Sequence, residues 1–162
     1  MATSLSSLPR PIFTYDDNHY KIGIVTAAWN GHITEVLKSG AIETLEDASR
    51  DQSLEIIEFP VPGAFEIPTA AQWLFEHGCD AVINLGCVIK GDTPHFEYVC
   101  NAVTDGIAQL ALKYSKPCIF GVITTNTEQQ ALDRAGGSLG NKGSEAAEAA
   151  LWMLLFKSDL DQ

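Results

Sequence analysis

Apolar positions along this chain follow two alternating periods. Short runs rich in β-branched residues predict strands, and each run is followed by a segment whose apolar residues recur every three or four positions, as in a helix. The predicted strands are residues 21–28, 53–59, 81–89 and 117–124. Four strands that are each followed by a helix predict an α/β fold, a three-layer sandwich in which a parallel sheet lies between helices joined by right-handed crossovers.

The third predicted strand leads into the most informative turn of the chain. Residues 81–89 form an unbroken apolar run, typical of a parallel strand that is buried on both faces. The run ends in the turn Lys90-Gly91-Asp92-Thr93-Pro94, and His95 then begins a long helix. Ligands bind at the carboxyl ends of such strands, and the N–H groups that open a helix attract anions. The sequence therefore predicts an anion-binding site beside an imidazole that exchanges protons near neutral pH.

The ends of the other predicted strands meet the same edge of the sheet. Trp29 follows the first strand, Glu66 opens a helix after the second, and the Thr-Thr-Asn run 124–126 follows the fourth. Each also has an ordinary structural explanation, because a tryptophan can pack in a core and a glutamate can stabilise a helix start. Their clustering favours a site for a flat heterocycle that carries a phosphate.

The length and composition fit one domain. The chain has 162 residues, of which 46% are hydrophobic, which is enough for one core and too few for two ordinary domains. We assign residues 1–18 to an N-terminal arm, 19–157 to the domain and 158–162 to a C-terminal tail. Because the arm has little apolar period of its own, it is either loose or borrowed by a neighbouring subunit, whose sheet it would extend.

The charge of the chain excludes some partners. A net charge of -11 at pH 7 disfavours nucleic acids and acidic membrane surfaces, because both would be repelled. Any anionic ligand must therefore meet local cations, and the chain has only ten lysines and arginines. Arg134 is the candidate, although a solvated cation near a helix C-terminus is its ordinary explanation.

The cysteines and the apolar segments indicate a cytoplasmic protein. Cys79, Cys87, Cys100 and Cys118 show no spacing typical of a metal site or of a disulfide framework. We find no signal-peptide pattern and no run long enough to cross a bilayer. The last helix is apolar on nearly every side, which predicts burial against another subunit or a C-terminus folded beneath the domain.

Three multi-residue motifs resemble those of the lumazine synthase family. They are VPGAFEIP at 61–68, GCVIKGDTPHFEY at 86–98, and EQQALDRAG at 128–136, followed by GNKG at 140–143. The resemblance implies a flavodoxin-like strand order, 2-1-3-4, and a transferase that makes 6,7-dimethyl-8-ribityllumazine in riboflavin biosynthesis. Such an enzyme condenses 5-amino-6-(D-ribitylamino)uracil with 3,4-dihydroxy-2-butanone 4-phosphate, releases phosphate and water, and uses no metal or organic cofactor.

The resemblance also implies a role for each matching residue on the heterocycle side of the site. Trp29 matches the position that stacks on the pyrimidine ring, and His95 matches the residue that transfers protons. The ribityl chain and the heterocycle would contact two further segments, which are Ala64, Phe65 and Glu66, and Cys87, Val88 and Ile89.

The phosphate side of the site would be shared between two subunits. Asp92 and Thr93 match the turn that receives the phosphate, and we expect Asp92 to point away and contribute only its N–H. Arg134 matches the residue that holds the phosphate from a neighbouring subunit, and Phe120 and Lys142 match residues that reach into the same pocket.

The resemblance leaves the assembly and one alternative function open. Family members form pentamers, some of which stack as twelve pentamers into a hollow sixty-subunit shell, and the short connection 136–143 favours the shell. Riboflavin synthase is a candidate pathway partner. Because the stacking position is commonly Phe, the larger face of Trp29 could hold a flavin, and the alternative is a non-catalytic flavin-binding container of the same fold.

Two unrelated classes with a similar predicted fold do not fit the strand ends. A flavodoxin-like electron carrier needs a Ser/Thr-rich phosphate loop after the first strand, where this chain has Ala27-Ala28-Trp29. A phospho-receiver module needs acidic residues at the ends of the first and third strands, where this chain has Trp29 and Ile89.

Overall fold

The computed structural model describes residues 9–13, 19–49 and 53–161. Four strands, β1 to β4, form one fully parallel sheet in the order β2-β1-β3-β4, so the predicted sandwich and its strand order are confirmed. The strands are Tyr20–Ala27, Leu54–Val61, Ala81–Ile89 and Cys118–Thr125. The helices α1 to α5 are Gly31–Ala48, Ile67–Glu76, His95–Tyr114, Glu128–Arg134 and Lys142–Leu160.

The two faces of the sheet carry two hydrophobic cores. One core joins α1 and α5 to the sheet through residues such as Ile24, Leu37 and Leu151. The other joins α2 and α3 to the opposite face through residues such as Ile67 and Val103. Because most side chains of the central strands β1 and β3 are buried under one helix layer or the other, the apolar runs of these strands need no polar face.

Several boundaries differ from those that the sequence predicts. Strand β2 continues through Pro60 to Val61, which is tolerated because β2 lies at the edge of the sheet. The helix predicted to open at Glu66 begins at Ile67, after a 3₁₀ turn over Ala64–Glu66. Helix α5 continues to Leu160, past residue 157, where the domain was predicted to end.

A short hairpin between α4 and α5 is absent from the sequence-based prediction. Strands β5, Ala135–Gly137, and β6, Gly140–Asn141, pair antiparallel. Gly136 and Gly140 have φ angles of 88° and 79°, a left-handed conformation that side chains rarely adopt. Glycine at these two positions thus permits the tight connection.

The described part of the N-terminal arm lies against its own domain. The side chain of Phe13 is buried, and its backbone bridges to Ser49 at the end of α1. Arg10 forms ion pairs with Asp47 at 3.4 Å and with Glu148 at 3.0 Å. The expected extension of a neighbour's sheet would depend also on residues 1–8 and 14–18, which lie outside the described residues.

The strands end at different heights, and this produces a step at the carboxyl edge of the sheet. The register between β1 and β3 ends at the pair Thr26–Leu85. Strand β3 runs on to Ile89, which pairs with Thr125 of β4. The last residues of β3 therefore have β4 on one side and the turn between β1 and α1 on the other. Across the described ranges, each helix is too short or too polar to span a membrane.

Candidate active site

A cavity of about 650 Å³ lies at this carboxyl edge. It opens between the ends of β1, β2 and β3 and the first turns of α3. The residues that line it are Trp29, Asn30, Gly63, Ala64, Phe65, Glu66, Cys87, Val88, Ile89, His95 and Val99. The structure thus brings together the residues expected on the heterocycle side of the site, with the proton-transfer candidate His95 among them.

Trp29 forms one wall of the cavity from the turn after β1. Its side chain is 73% exposed, so the interpretation of Trp29 as an ordinary core aromatic is wrong. Its backbone N–H donates to the carbonyl oxygen of Pro62 at 3.2 Å, which joins the turn to the end of β2. An exposed indole face at a concave surface is suited to stacking on a flat ligand.

Glu66 and Trp29 approach each other across Gly63. A Cβ atom at Gly63 would lie 3.2 Å from the Glu66 carboxylate and 3.3 Å from Cδ1 of the indole. The missing side chain thus leaves room for a carboxylate and an aromatic ring at the same wall. Glu66 is exposed, so its oxygens can accept hydrogen bonds from ligand hydroxyls.

The end of β3 provides the floor of the cavity. Cys87 is buried, and Val88 and Ile89 are half-buried. Burial raises the pKa of the Cys87 thiol to about 11, with a smaller contribution from the charge of Glu128. The thiol therefore stays protonated at neutral pH and contributes an apolar surface, not a nucleophile.

His95 stands at the first position of α3, next to the open end of the cavity. Val99, four residues later, lies on the same face of the helix and completes this wall. Asp92 and Thr93 are exposed in the preceding turn, and neither is among the residues that line the cavity. Lys90 and Glu97 flank the turn as an ion pair, with 3.4 Å between Nζ and Oε1.

The cations expected on the phosphate side lie outside this cavity in the single chain. The Arg134 guanidinium forms a two-point pair with the Glu145 carboxylate, at 3.0 and 2.9 Å, and Lys142 Nζ lies 3.3 Å from the same carboxylate. Phe120, on β4, is half-buried against the core that α2 and α3 cover. Within one chain, then, the structure does not bring Arg134, Lys142 or Phe120 to the cavity wall.

Burial and positive charge act in opposite directions on Glu145. Burial alone would raise the pKa of its carboxyl, but the hydrogen bond from Arg134 and the charges of Arg134 and Lys142 hold the pKa below its ordinary value. The carboxylate is therefore charged at neutral pH and orients the guanidinium.

Sequence reasoning did not single out Asn30, Gly63 or Val99 as site residues. Asn30 and Gly63 have recognisable signals, because Asn-Gly and Pro-Gly pairs mark tight turns and both follow strands here. Val99 has only the spacing of four residues from His95. The described ranges hold no group of three or more His, Cys, Asp or Glu side chains that could bind a metal ion together.

The fold and the cavity define an α/β protein with a small-molecule site at the carboxyl edge of its parallel sheet. The sequence profile of the 6,7-dimethyl-8-ribityllumazine synthase family matches residues 19–158. The chain belongs to this family of transferases, which acts in riboflavin biosynthesis.

Relatives that bear the name 6,7-dimethyl-8-ribityllumazine synthase cover most of the chain. The Bdellovibrio bacteriovorus protein is 54% identical over 134 residues, or 83% of this chain and 73% of the relative. The Parabacteroides distasonis protein is 49% identical over 161 residues, 98% of this chain and 100% of the relative. The Phocaeicola vulgatus protein is 47% identical over 166 residues, 100% of this chain and 98% of the relative.

Proposed function

We propose that this protein condenses 5-amino-6-(D-ribitylamino)uracil with 3,4-dihydroxy-2-butanone 4-phosphate to give 6,7-dimethyl-8-ribityllumazine. The observation that carries the proposal is one cavity that joins an exposed indole, a free carboxylate and an imidazole at the end of a parallel sheet. The indole is suited to stacking on a flat ring, the carboxylate to binding the ribityl hydroxyls, and the imidazole to transferring protons.

The reaction is a sequence of additions and eliminations between two small molecules. The ring-bound primary amine attacks the ketone carbonyl, and loss of water gives an imine. Loss of the proton on C3 and of phosphate from C4 then gives an enol, which tautomerises to a ketone at C3 and a methyl group at C4. The ribityl-bearing nitrogen closes the second ring by attack on this new C3 carbonyl, with loss of a second water. No external electron donor or acceptor is required, because the oxidation of C3 from alcohol to ketone is balanced by the reduction of C4 to a methyl group as phosphate leaves.

Positioning accounts for most of the expected rate enhancement. Holding two reactants in a near-attack geometry can lower a barrier by about 7–11 kcal/mol. His95, on the cavity wall, would carry protons between the amine, the departing water and the phosphate. General acid–base catalysis of this kind contributes on the order of 10²-fold or more.

In the proposed complex the heterocycle lies between Trp29 and the backbone of residues 87–89, and Glu66 accepts hydrogen bonds from the ribityl hydroxyls. The phosphate lies at the Asp92–Thr93 turn, where the N–H groups at the start of α3 attract an anion. The exposed position of this turn, next to His95, supports the assignment.

Arg134, Lys142 and Phe120 would come from a neighbouring subunit. Glu145 and the Leu139 carbonyl occupy three of the five N–H directions of the Arg134 guanidinium, which leaves two for a phosphate. An arginine that a carboxylate already orients loses little side-chain freedom when it binds an anion.

We expect the subunits to form a pentamer or a shell of twelve pentamers. Helix α5 carries an exposed apolar stripe, Met153, Phe156 and Leu160, which would be covered by other subunits. The outer side of β2 faces no strand of the described chain and is open to the N-terminal arm of a neighbour. The compact β5–β6 hairpin is the feature that favours the shell.

The location and the pathway partner follow from the same proposal. All four cysteines are unpaired, which fits the reducing cytoplasm. Riboflavin synthase, which would consume the product, is the expected pathway partner.

The first experiment measures lumazine formation by its absorbance. Purified protein is mixed with both substrates, and the rate is compared with that of the protein-free reaction. We expect acceleration by the native protein and, in Arg134→Ala, a raised KM for the phosphorylated substrate. Arg10→Ala is the matched control, because Arg10 also pairs with carboxylates but lies on the N-terminal arm, against α1 and α5. An assembled protein that binds riboflavin and gives no acceleration would instead be the flavin container.

A further inference from the structure

Asn30 connects the turn that carries Trp29 to the end of β3. It has a left-handed backbone conformation, with φ 57° and ψ 43°, which costs energy for most side chains and least for Asn, Asp and Gly. Its side-chain amide Nδ2 donates to the carbonyl oxygen of Cys87 at 2.9 Å. A non-glycine residue in this conformation, with its side chain bonded across the cavity edge, is a feature that helix capping does not explain, because Asn30 makes no side-chain cap hydrogen bond to α1.

The Cys87 carbonyl lies where the β1–β3 ladder has already ended. The last register pair is Thr26–Leu85, so Cys87 is one pleat beyond it. The Lys90 N–H donates to Thr125 on β4, and peptide groups along a strand alternate in direction. At this end of β3, the N–H and C=O groups of the odd-numbered residues Cys87 and Ile89 therefore face the β1 side. The Asn30 amide bonds to the Cys87 carbonyl where a further residue of β1 would have paired with it. The backbone N–H and C=O groups of Ile89 face the cavity.

Hydrogen bonds on both sides thus hold the turn that carries Trp29. On the β2 side, the N–H groups of Ala28 and Trp29 donate to the carbonyl oxygens of Val61 and Pro62, at 2.8 and 3.2 Å. On the β3 side, the Asn30 amide donates to the Cys87 carbonyl. The indole itself is 73% exposed, so packing does little to hold it. Without the Asn30 amide the turn would keep its hydrogen bonds to the end of β2 and to the start of α1 but lose the one to β3. Ligand binding would then have to fix the spacing between the turn and β3 at an entropic cost.

We propose that Asn30 is a positioning residue that sets the spacing between the Trp29 indole and the β3 backbone, and so preforms a slot for the pyrimidinedione ring. The inference rests on the proposed function, because it assigns the slot to the heterocyclic substrate. It predicts an effect on that substrate and none on the phosphorylated one, which binds at the turn before α3.

The test uses substitutions that separate the hydrogen bond from the backbone conformation. Asn30→Gly keeps the left-handed conformation and removes the amide, whereas Asn30→Asp keeps the shape but places an acceptor against the Cys87 carbonyl. Ser115→Gly is the matched control. Ser115 is the other non-glycine residue with positive φ in the described ranges, at 51°, and it follows α3 at the opposite end of the sheet.

We expect the KM for 5-amino-6-(D-ribitylamino)uracil to rise about fivefold to tenfold in Asn30→Gly, the equivalent of one hydrogen bond, and further in Asn30→Asp. The KM for the butanone phosphate and the melting temperature should stay near those of the native protein, and Ser115→Gly should change neither KM. An unchanged KM for the pyrimidinedione in Asn30→Gly would overturn the inference, as would an equal rise in both KM values together with a lowered melting temperature.

A spectroscopic measurement tests the positioning without activity. In a Trp73→Phe, Trp152→Phe background, Trp29 is the single tryptophan. Its fluorescence anisotropy in the unliganded protein should fall in Asn30→Gly and stay constant in Ser115→Gly. If the native protein does not accelerate the reaction, the proposed function fails, but a fall in anisotropy still supports positioning by Asn30. Unchanged anisotropy in a folded Asn30→Gly protein argues against it.

Discussion

Two aromatic side chains at the cavity, Trp29 and Phe65, leave 73% and 61% of their surface exposed. Leaving this much apolar surface in water forgoes the free energy that burying the two rings in the core would have released. The neighbouring polar groups, Glu66 and His95, are also exposed. The cavity therefore combines apolar rings and polar groups that the folded chain leaves exposed to solvent, as expected for a site that a ligand covers.

Replacement of His95 by alanine should slow lumazine formation by up to about 10²-fold without abolishing it, because proximity of the substrates does not depend on the imidazole. Steady-state rates with both substrates, measured across pH 6 to 8, would show the loss. His77→Ala is the control, since His77 is exposed and lies at the end of α2, away from the cavity. Complete loss of activity in a folded, assembled His95→Ala protein would contradict this prediction.

Replacement of Glu145 by glutamine should lower the free energy of unfolding by about 1–3 kcal/mol at pH 7, because a charged hydrogen-bond acceptor of Arg134 is lost. The pKa of Glu145 is lowered in the folded protein, so its contribution is complete above the unfolded pKa and disappears as the pH falls through the folded pKa. The difference between native protein and variant should thus shrink below about pH 4.5.

Urea unfolding at a fixed protein concentration, at pH 7 and at pH 4, measures this difference. Glu43→Gln, an exposed position on α1, is the control and should have little effect at either pH. A Glu145→Gln deficit that is as large at pH 4 as at pH 7 would mean that the lost contact is not an ionic one.

The residues that line the site could largely be predicted from the sequence, but the hydrogen bonds between them could not. The motif around His95 and the Trp-Asn-Gly turn could be assigned to one edge because the carboxyl ends of parallel strands lie at the same edge of a sheet. The hydrogen bond between Asn30 and Cys87 depends on β1 ending before β3, a difference in strand length that no local pattern records. The pairing of Arg134 with Glu145 likewise depends on the β5–β6 hairpin, which brings the first turn of α5 next to the end of α4.

At the level of elements, the contact between α1 and α5 depends on two glycines. A Cβ atom at Gly143 would lie 1.8 Å from the carbonyl oxygen of Leu37, and one at Gly40 would lie 2.5 Å from the Asn141 side chain. Asn141 in turn caps α5 and donates to the Val36 carbonyl at 3.0 Å. This close approach fixes the start of α5, and with it the position of Glu145.

Replacement of Gly143 by alanine should destabilise the fold by about 2–3 kcal/mol or prevent folding, because the Leu37 backbone cannot move away cheaply. A helical glycine with open space around it behaves oppositely, since alanine is favoured over glycine in helices by up to about 1 kcal/mol. Gly31→Ala, at the first position of α1 with nothing within 4 Å of its Cβ, is therefore the control. Urea midpoints measure both variants, and equal midpoints for Gly143→Ala and the native protein would contradict the predicted clash.

The order of helices and strands followed from the sequence because each strand of the parallel sheet is a short run rich in apolar and β-branched residues, whereas the apolar residues of the helices recur every three or four positions. The sequence predicts secondary structure least well where neither pattern is present. Residues 135–141 carry three glycines and little hydrophobic pattern, so the β5–β6 hairpin depends on backbone conformation instead. Helix α5 looked apolar on all sides because one face packs on α1 and another remains exposed.

At the level of the whole molecule, the groups assigned to the two substrates lie in different parts of the single chain. The cavity holds the groups assigned to the heterocycle, whereas Arg134 and Lys142 lie outside it. If the proposed subunit arrangement is correct, each site takes its stacking residue from one chain and its phosphate-binding arginine from the next. Such a head-to-tail interface closes into a ring.

Complementation between two inactive variants tests this arrangement. Trp29→Ala removes the stacking face and Arg134→Ala removes the phosphate contact, so each homogeneous assembly should have strongly reduced activity. When the two are unfolded together and reassembled in equal amounts, about a quarter of the sites should combine a native Trp29 with a native Arg134 from the neighbouring subunit. The mixture should thus exceed the mean activity of its parents severalfold, while a mixture of either variant with itself should not. If the mixture only equals that mean while sedimentation shows mixed rings, both residues serve one chain, and the shared site is wrong.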